Sequence, residues 1–268
     1  VRFPLEGDEL PDGYSGWLLF FDELNSAPRS VVAAAYKIVL DRMIGEHNLH
    51  ERVRIIAAGN LATDNAIVND MGTAMRSRVV HIPVESNPTN WLDYAAKSGF
   101  DTRVVSYLSY QPNKINNFKR FDGSSDETFA CERTWEFVSK ILKANYPDQT
   151  KPIPQDIAHL LAGTVGSCAY ELVTYTEAFN DLPTIQQVLT DPMNCALPEA
   201  PAVRYLMTGM LVGNATLDNA DTIVKYVSRM PKEFSMIFVK LLWGKGDKFI
   251  DLKGVSNMLN EVADILMD

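Results

Sequence analysis

Asp22 and Glu23 close the run Trp17-Leu18-Leu19-Phe20-Phe21, so two adjacent carboxylates follow five apolar side chains. The run is too short to cross a membrane and suits a strand covered on both faces; in open α/β sheets, ligands sit beyond the carboxyl ends of such strands. In nucleotide hydrolysis the first acid of such a pair holds Mg2+, usually through water, and the second orients or deprotonates the attacking water. The same pair also occurs where the acids cap the next helix or sit solvated in a loop, so its company decides its meaning. Asn60 stands 38 residues after Asp22, at the end of Val53-Arg54-Ile55-Ile56-Ala57-Ala58-Gly59. Beside the acids, its amide can hold a water or a terminal phosphate; without them, an Asn after a strand is a turn former. Arg76 and Arg78 precede a third strand-like run at 79–84. A guanidinium there can neutralise charge on a transferring phosphoryl group, including one bound to a neighbouring subunit. An isolated arginine more often makes a surface ion pair.

The elements that must position these residues follow from spacing. Ser26 can cap a helix, Pro28 suits a first turn, and Val31, Val32, Ala35, Ile38, Val39 and Met43 recur at helical intervals, which puts the acids in a strand-to-helix turn. Strand, helix and return strand fit the interval to Asn60, so the two strands are expected to be parallel neighbours with Asn60 beside Asp22. Beyond Pro83 the strand signals fade, and Asn87-Pro88-Thr89-Asn90 marks a change from sheet to helix. Residues 89–111 and 133–145 show helical spacing, with a polar loop expected at 111–127. Residues 154–268 carry further helical stripes, among them Ile157, Leu160, Leu161 and Val165, and Val255, Met258, Leu259 and Val262. The segment 233–243, rich in Phe, Met, Ile and Leu, is expected to be buried or to form a subunit contact.

In order, hydrophobic-Asp-Glu, Ala-Ala-Gly-Asn at 57–60, Ala-Met-Arg-Ser-Arg-Val-Val-His-Ile at 74–82 and Cys-Glu-Arg-Thr-Trp-Glu at 131–136 resemble the MoxR-like branch of AAA+ ATPases. The resemblance spans about 14–140 with motifs and the helical remainder more loosely. It implies an α/β fold: a partial AAA+ parallel-sheet core at 1–86, a helical lid at 87–153 and an all-helical C-terminal region at 154–268. By it, Asp22 and Glu23 are the Walker B acids, with Asp22 the Mg2+ contact. Asn60 is sensor 1, Arg78 the arginine finger with Arg76 a nearby second candidate, and Arg133 the sensor 2 arginine that touches nucleotide. ATP and Mg2+ are the implied cofactors. The implied assembly is a homo-oligomeric ring that remodels a protein substrate, with a von Willebrand factor A-type domain protein as a partner by analogy. Residues 43–52 fall where the family inserts elements that line the ring's pore. Glu132 stands where the family commonly has Pro.

One family element is absent. No Gly-x-x-x-x-Gly-Lys-Ser/Thr string, the loop whose backbone N–H groups and lysine cradle phosphates, occurs in the 268 residues; Gly244-Lys245-Gly246 lacks both the upstream glycine and the Ser/Thr and reads as a turn. The chain is therefore expected to be the downstream part of a longer polypeptide, with a central slot of the sheet empty, and to hydrolyse no ATP by itself. A non-hydrolysing scaffold on the same fold is the competing function. A DEAD-type helicase, which also places an acid pair after a buried strand, predicts a basic surface and a Ser-Ala-Thr strand end where this chain has Ala-Gly-Asn.

Composition adds bounds. A net charge of −9 disfavours broad nucleic-acid binding, and an apolar fraction of 46% supports a core. Three widely spaced cysteines, Cys131, Cys168 and Cys195, fit neither a disulfide framework nor a zinc knuckle. His47 and His50, with no cysteine nearby, read as a solvated loop rather than a metal site. With no signal peptide or spanning segment visible, the expected setting is cytoplasmic, away from membranes.

Overall fold

A computed structural model of the chain describes residues 2–60, 73–118 and 128–266. The chain forms two compact units, whose described residues are 2–60 with 73–84 in the first and 85–118 with 128–266 in the second. Residues 119–127 of the polar segment expected as a loop lie outside the described residues. Among the described residues no helix is long and apolar enough to cross a membrane.

The first unit is α/β. Strand β1 (Trp17–Phe21), helix α1 (Arg29–Asp41), the short antiparallel pair β2 (Met43–Ile44) and β3 (His47–Asn48), and strand β4 (Val53–Ala57) follow in order. β1 and β4 pair in parallel from Trp17 opposite Val53 to Phe21 opposite Ala57, the neighbouring parallel arrangement that the spacing predicts. Ser26 does not cap α1: it ends a 3-10 turn at Leu24–Ser26, and Pro28 precedes the helix. The left-handed Arg42 ends α1, and its guanidinium donates to the carbonyls of His50 and Val53, both at 3.0 Å, tying the helix end to the start of β4.

The expected third strand does not form. A short helix, α2 (Thr73–Arg76), is followed by turns and an irregular segment with no strand partner among the described residues, and Val80, Ile82 and Val84 are 88%, 78% and 94% exposed. The alternation that reads as a strand is present, but a strand also needs a neighbour to take its backbone hydrogen bonds, and β4 lies across a cavity of about 370 Å³ lined by both segments.

The second unit is helical. The stretch 89–111 is two helices, α3 (Pro88–Lys97) and α4 (Thr102–Tyr110); the chain turns at Gly99, in the left-handed region at φ 65°, where a β-carbon would be strained. Asn87 caps α3, and Asp101 caps α4 by accepting from the Arg103 N–H. Then come α5 (Glu132–Asn145), α6 (Ala158–Val165), α7 (Cys168–Thr176), α8 (Ile185–Thr190), α9 (Pro201–Asn214), α10 (Ala220–Val227), α11 (Lys232–Lys245) and α12 (Lys253–Leu266). Their stripes meet in one core that includes Leu108, Trp135, Leu142, Leu161, Leu172, Leu211, Phe234, Phe238 and Leu242. The segment 233–243 is therefore mostly core, with Trp243 half exposed. Gly209 lets α9 approach α4 closely, since a Cβ there would collide with Ser106 Oγ. The Gly-Lys-Gly lookalike is the end of α11, not a separate turn: Lys245 donates to the carbonyls of Val212, Gly213 and Ala215 at the end of α9, and burial pushes its amine below the ordinary lysine range.

A fully buried ion pair anchors this unit. Arg103 Nε and Nη2 donate to the two oxygens of Asp101 at 3.0 and 2.7 Å, and the same guanidinium reaches the carbonyl of Tyr146 at 2.7 Å. Asp101 N–H donates to Ser139 on α5. Removing one partner of a buried pair leaves an uncompensated charge, so Arg103→Met is expected to cost about 3–5 kcal/mol. Lys140→Met, which breaks the exposed Glu136–Lys140 pair, should cost less than about 0.5 kcal/mol. Urea unfolding measures both, and equal costs would remove the anchoring role.

Candidate functional site

The ladder between β1 and β4 continues past the strands, and that continuation builds the site. Ala58 N–H donates to the Phe21 carbonyl at 2.8 Å, and Leu24 N–H donates to the Ala58 carbonyl at 3.0 Å. One residue thus holds the chain on both sides of Asp22 and Glu23, and the two acids loop out between the fixed points. Both side chains are exposed, with no hydrogen bond or ion pair to the described residues. Glu23 takes φ 50°, ψ 39°, a left-handed conformation uncommon for a residue with a side chain. Leu24, next in the chain, is buried, so the turn sends an apolar side chain inward while the acids face solvent.

Asn60 stands at the same end of the sheet, three residues beyond β4. Its backbone is held by a side chain from the acid turn: Asn60 N–H donates to Asn25 Oδ1 at 3.2 Å, and Asn25 Nδ2 donates to the Asn60 carbonyl at 2.7 Å. Each bond contributes about 0.5–1.5 kcal/mol net. Glycine at 59 leaves room for this contact, because a Cβ there would collide with the Asn25 amide and displace it. Asn25, Gly59 and Asn60 line the 370 Å³ cavity with Leu24, Ile55 and Met75; residues 79 and 81–83 close it.

The arginines divide between the units. Arg76 is the last residue of α2, its carbonyl accepting from His81 Nε2 at 3.3 Å, and Arg78 N–H donates to the Met75 carbonyl at 3.0 Å. Both are exposed and flank Met75 and Val79, which line the cavity. Arg133 belongs to the second unit, exposed in the first turn of α5. Its neighbour Glu132 accepts from Ser86 and Asn116. So the first unit places Asp22, Glu23 and Asn60 at one end of the sheet; of these only Asn60 lines the cavity, and Arg76 and Arg78 lie on a segment that borders it.

Asn25 and Gly59 are the residues that motif reading missed. Asn25 follows the acid pair by one residue, but nothing in its spacing says that its side chain bonds a backbone 35 residues away. The signal that could have found it is chemical: a polar amide directly after a buried Leu, facing a Gly-Asn strand end.

Burial pushes the thiols of Cys168 and Cys195 up, away from the thiolate form that a nucleophile needs. Among the described residues no group of three or more His, Cys, Asp or Glu could hold a metal ion. His50 instead accepts from Arg52 N–H and packs edge-on against Trp17. A water-mediated Mg2+ contact needs only one or two carboxylates, and the exposed, unpartnered Asp22 fits that demand. No family model, curated protein or solved structure matches the chain.

The left-handed Glu23 gives a test of the site's cost. Such a conformation costs roughly 1–2 kcal/mol for a residue bearing Cβ, offset by glycine's greater unfolded-state freedom of roughly 0.5–1 kcal/mol. Glu23→Gly is therefore expected to be more stable than Glu23→Ala, by up to about 1 kcal/mol in urea unfolding. A less stable glycine variant would show that the turn is not strained.

Proposed function

We propose that this chain carries the acid pair, sensor and lid of an ATP-hydrolysing AAA+ subunit of the MoxR-like type, which remodels a partner protein as part of a homo-oligomeric ring. The observation that supports the reading most is the parallel, in-register pairing of β1 with β4, whose carboxyl ends deliver two free acids and an amide to one end of the sheet. Mg2+-bound ATP would supply the electrophilic phosphorus and the negative charge to be neutralised. The chain's residues then have separate roles: Asp22 holds the hydrated ion, Glu23 takes the proton of the attacking water, and the Asn60 amide orients that water. Arg78, or Arg76 beside it, serves a neighbouring subunit's phosphates, and Arg133 carries nucleotide contact to the lid.

The carboxylates fit this chemistry, but the phosphates have no cradle in these 268 residues, which contain no Gly-x-x-x-x-Gly-Lys-Ser/Thr string. That absence favours a second reading, a scaffold that binds partners without turnover. A phosphate loop joined to this chain would occupy the region between β4 and residues 79–83. A von Willebrand factor A-type domain partner rests on family analogy alone.

The 268-residue chain is expected to hydrolyse no ATP. In a protein that joins it to a phosphate loop, Glu23→Gln should keep nucleotide binding while lowering turnover about 10²–10⁴-fold, the range for loss of a general base. Unchanged turnover would remove Glu23 from catalysis. Separately, mixing Arg78→Ala with Asp22→Ala subunits should restore part of the activity if the finger acts in trans, and no rescue at any ratio would overturn that assignment.

A further inference from the structure

Nothing in the functional reading assigns a role to Asn25, yet its side chain makes the contact that links the acid turn to Asn60. We propose that Asn25 is the positioning residue of the site: by pairing with both backbone groups of Asn60 it holds the Asn60 backbone, the root of the side-chain amide, in place beside the turn that carries Asp22 and Glu23. Its importance to ATP turnover rests on the reading above; the clamp itself does not.

The geometry is that of one further rung of the sheet, supplied by a side chain. The backbone ladder ends at Phe21 and Ala57, and Ala58 adds two more bonds, to Phe21 and Leu24. Beyond that point the chains diverge, because Leu24–Ser26 winds into a 3-10 turn before α1. A primary amide presents the same acceptor and donor pair as a peptide unit, so Asn25 bridges the divergence with one N–H···O bond each way. An Asp in its place keeps the acceptor and loses the donor, and a Ser is too short to present both.

Gly59 supplies the room. A Cβ at residue 59 would collide with Asn25 Oδ1 and crowd its Cγ at 2.8 Å. The loop needs glycine for access by the clamp, not for an unusual backbone angle, since Gly59 is not among the positive-φ glycines. Without the clamp, residues 59 and 60 leave the strand with no bond to the acid turn beyond Ala58. The Asn60 amide would then sample many positions, and the cost of ordering it would return to the reaction barrier.

The test uses hydrogen exchange of the 268-residue chain, which requires no nucleotide. Asn25→Ala should speed exchange of the Asn60 amide at least about tenfold, the factor expected when hydrogen bonds of this strength are lost, while amides of β1 and β4 keep their protection. Gly59→Ala should reproduce that loss in the native background and add little once Asn25 is Ala. Asn60 exchange unchanged in Asn25→Ala, or a Gly59→Ala effect of the same size in both backgrounds, overturns the clamp. In the phosphate-loop-bearing protein, Asn25→Ala should lower kcat at least about tenfold with KM for Mg2+·ATP unchanged, as expected when positioning rather than binding is lost. Asn25→Asp should recover part of kcat. A change in KM alone overturns the positioning role. If the wild-type protein turns over no ATP, the ATPase reading falls and the exchange result still decides the clamp.

Discussion

Ala58 carries the constraint on which the candidate site depends. Its N–H holds Phe21 and its carbonyl holds Leu24, so the two residues between them have no strand to join and must leave the sheet. The protrusion of Asp22 and Glu23, the left-handed backbone of Glu23 and the inward turn of Leu24 all follow from those two bonds. Were β1 and β4 antiparallel, or paired one residue out of step, Ala58 could not reach both groups and the acids would lie along a strand. The parallel register is thus the cause of the site geometry.

A different device organises the helical unit, where a fully buried charge must be satisfied before any helix can settle. Asp101 and Arg103 neutralise each other two residues apart at the start of α4, and the remaining guanidinium donors reach the carbonyls of Tyr146, Asp148 and Lys151 after α5. Such a pair is weak as a source of net stability, but removing either member leaves a buried charge unpaired. It fixes the end of α5, the helix that opens with Glu132 and Arg133, against the start of α4. The core aromatics reinforce the same junction: Trp135 donates from Nε1 to the Lys114 carbonyl and packs at 5.9 Å from Tyr107. The Tyr107 hydroxyl is held by Glu171, and burial together with that carboxylate pushes its pKa well above the ordinary tyrosine value.

What could be read in the sequence was whatever depends on period and order. The β1–α1–β4 crossover, α5 and the helical character of 154–268 follow from apolar spacing alone, because each buries a face that its own residues define. Hydrogen bonds between side chain and backbone over long separations were not readable, and the Asn25–Asn60 clamp is of that kind. The break between α3 and α4 was signalled by Gly99 and Asp101 but hidden by continuous helical spacing on both sides. Residues 79–84 mark the converse limit. Their alternation is that of a strand, but pairing is a property of two segments, and no period in one of them reveals whether the other is there.

The same incompleteness sets the thermodynamics of the first unit. Two strands bury little of one another: Leu18 and Phe20 are 63% and 54% exposed on β1, and such small sheets are marginal without a third strand or a well-packed helix. The second unit, by contrast, encloses a core that runs through ten helices. Opening free energies follow burial, and the acid turn and Asn60 sit in the less buried of the two units. Anything that binds only the paired form stabilises it by mass action. Formation of the acid turn and pairing of β1 with β4 are then one coupled equilibrium, in which the strain at Glu23 and the exposure of Leu18 and Phe20 are costs that the ladder bonds of Ala58 offset.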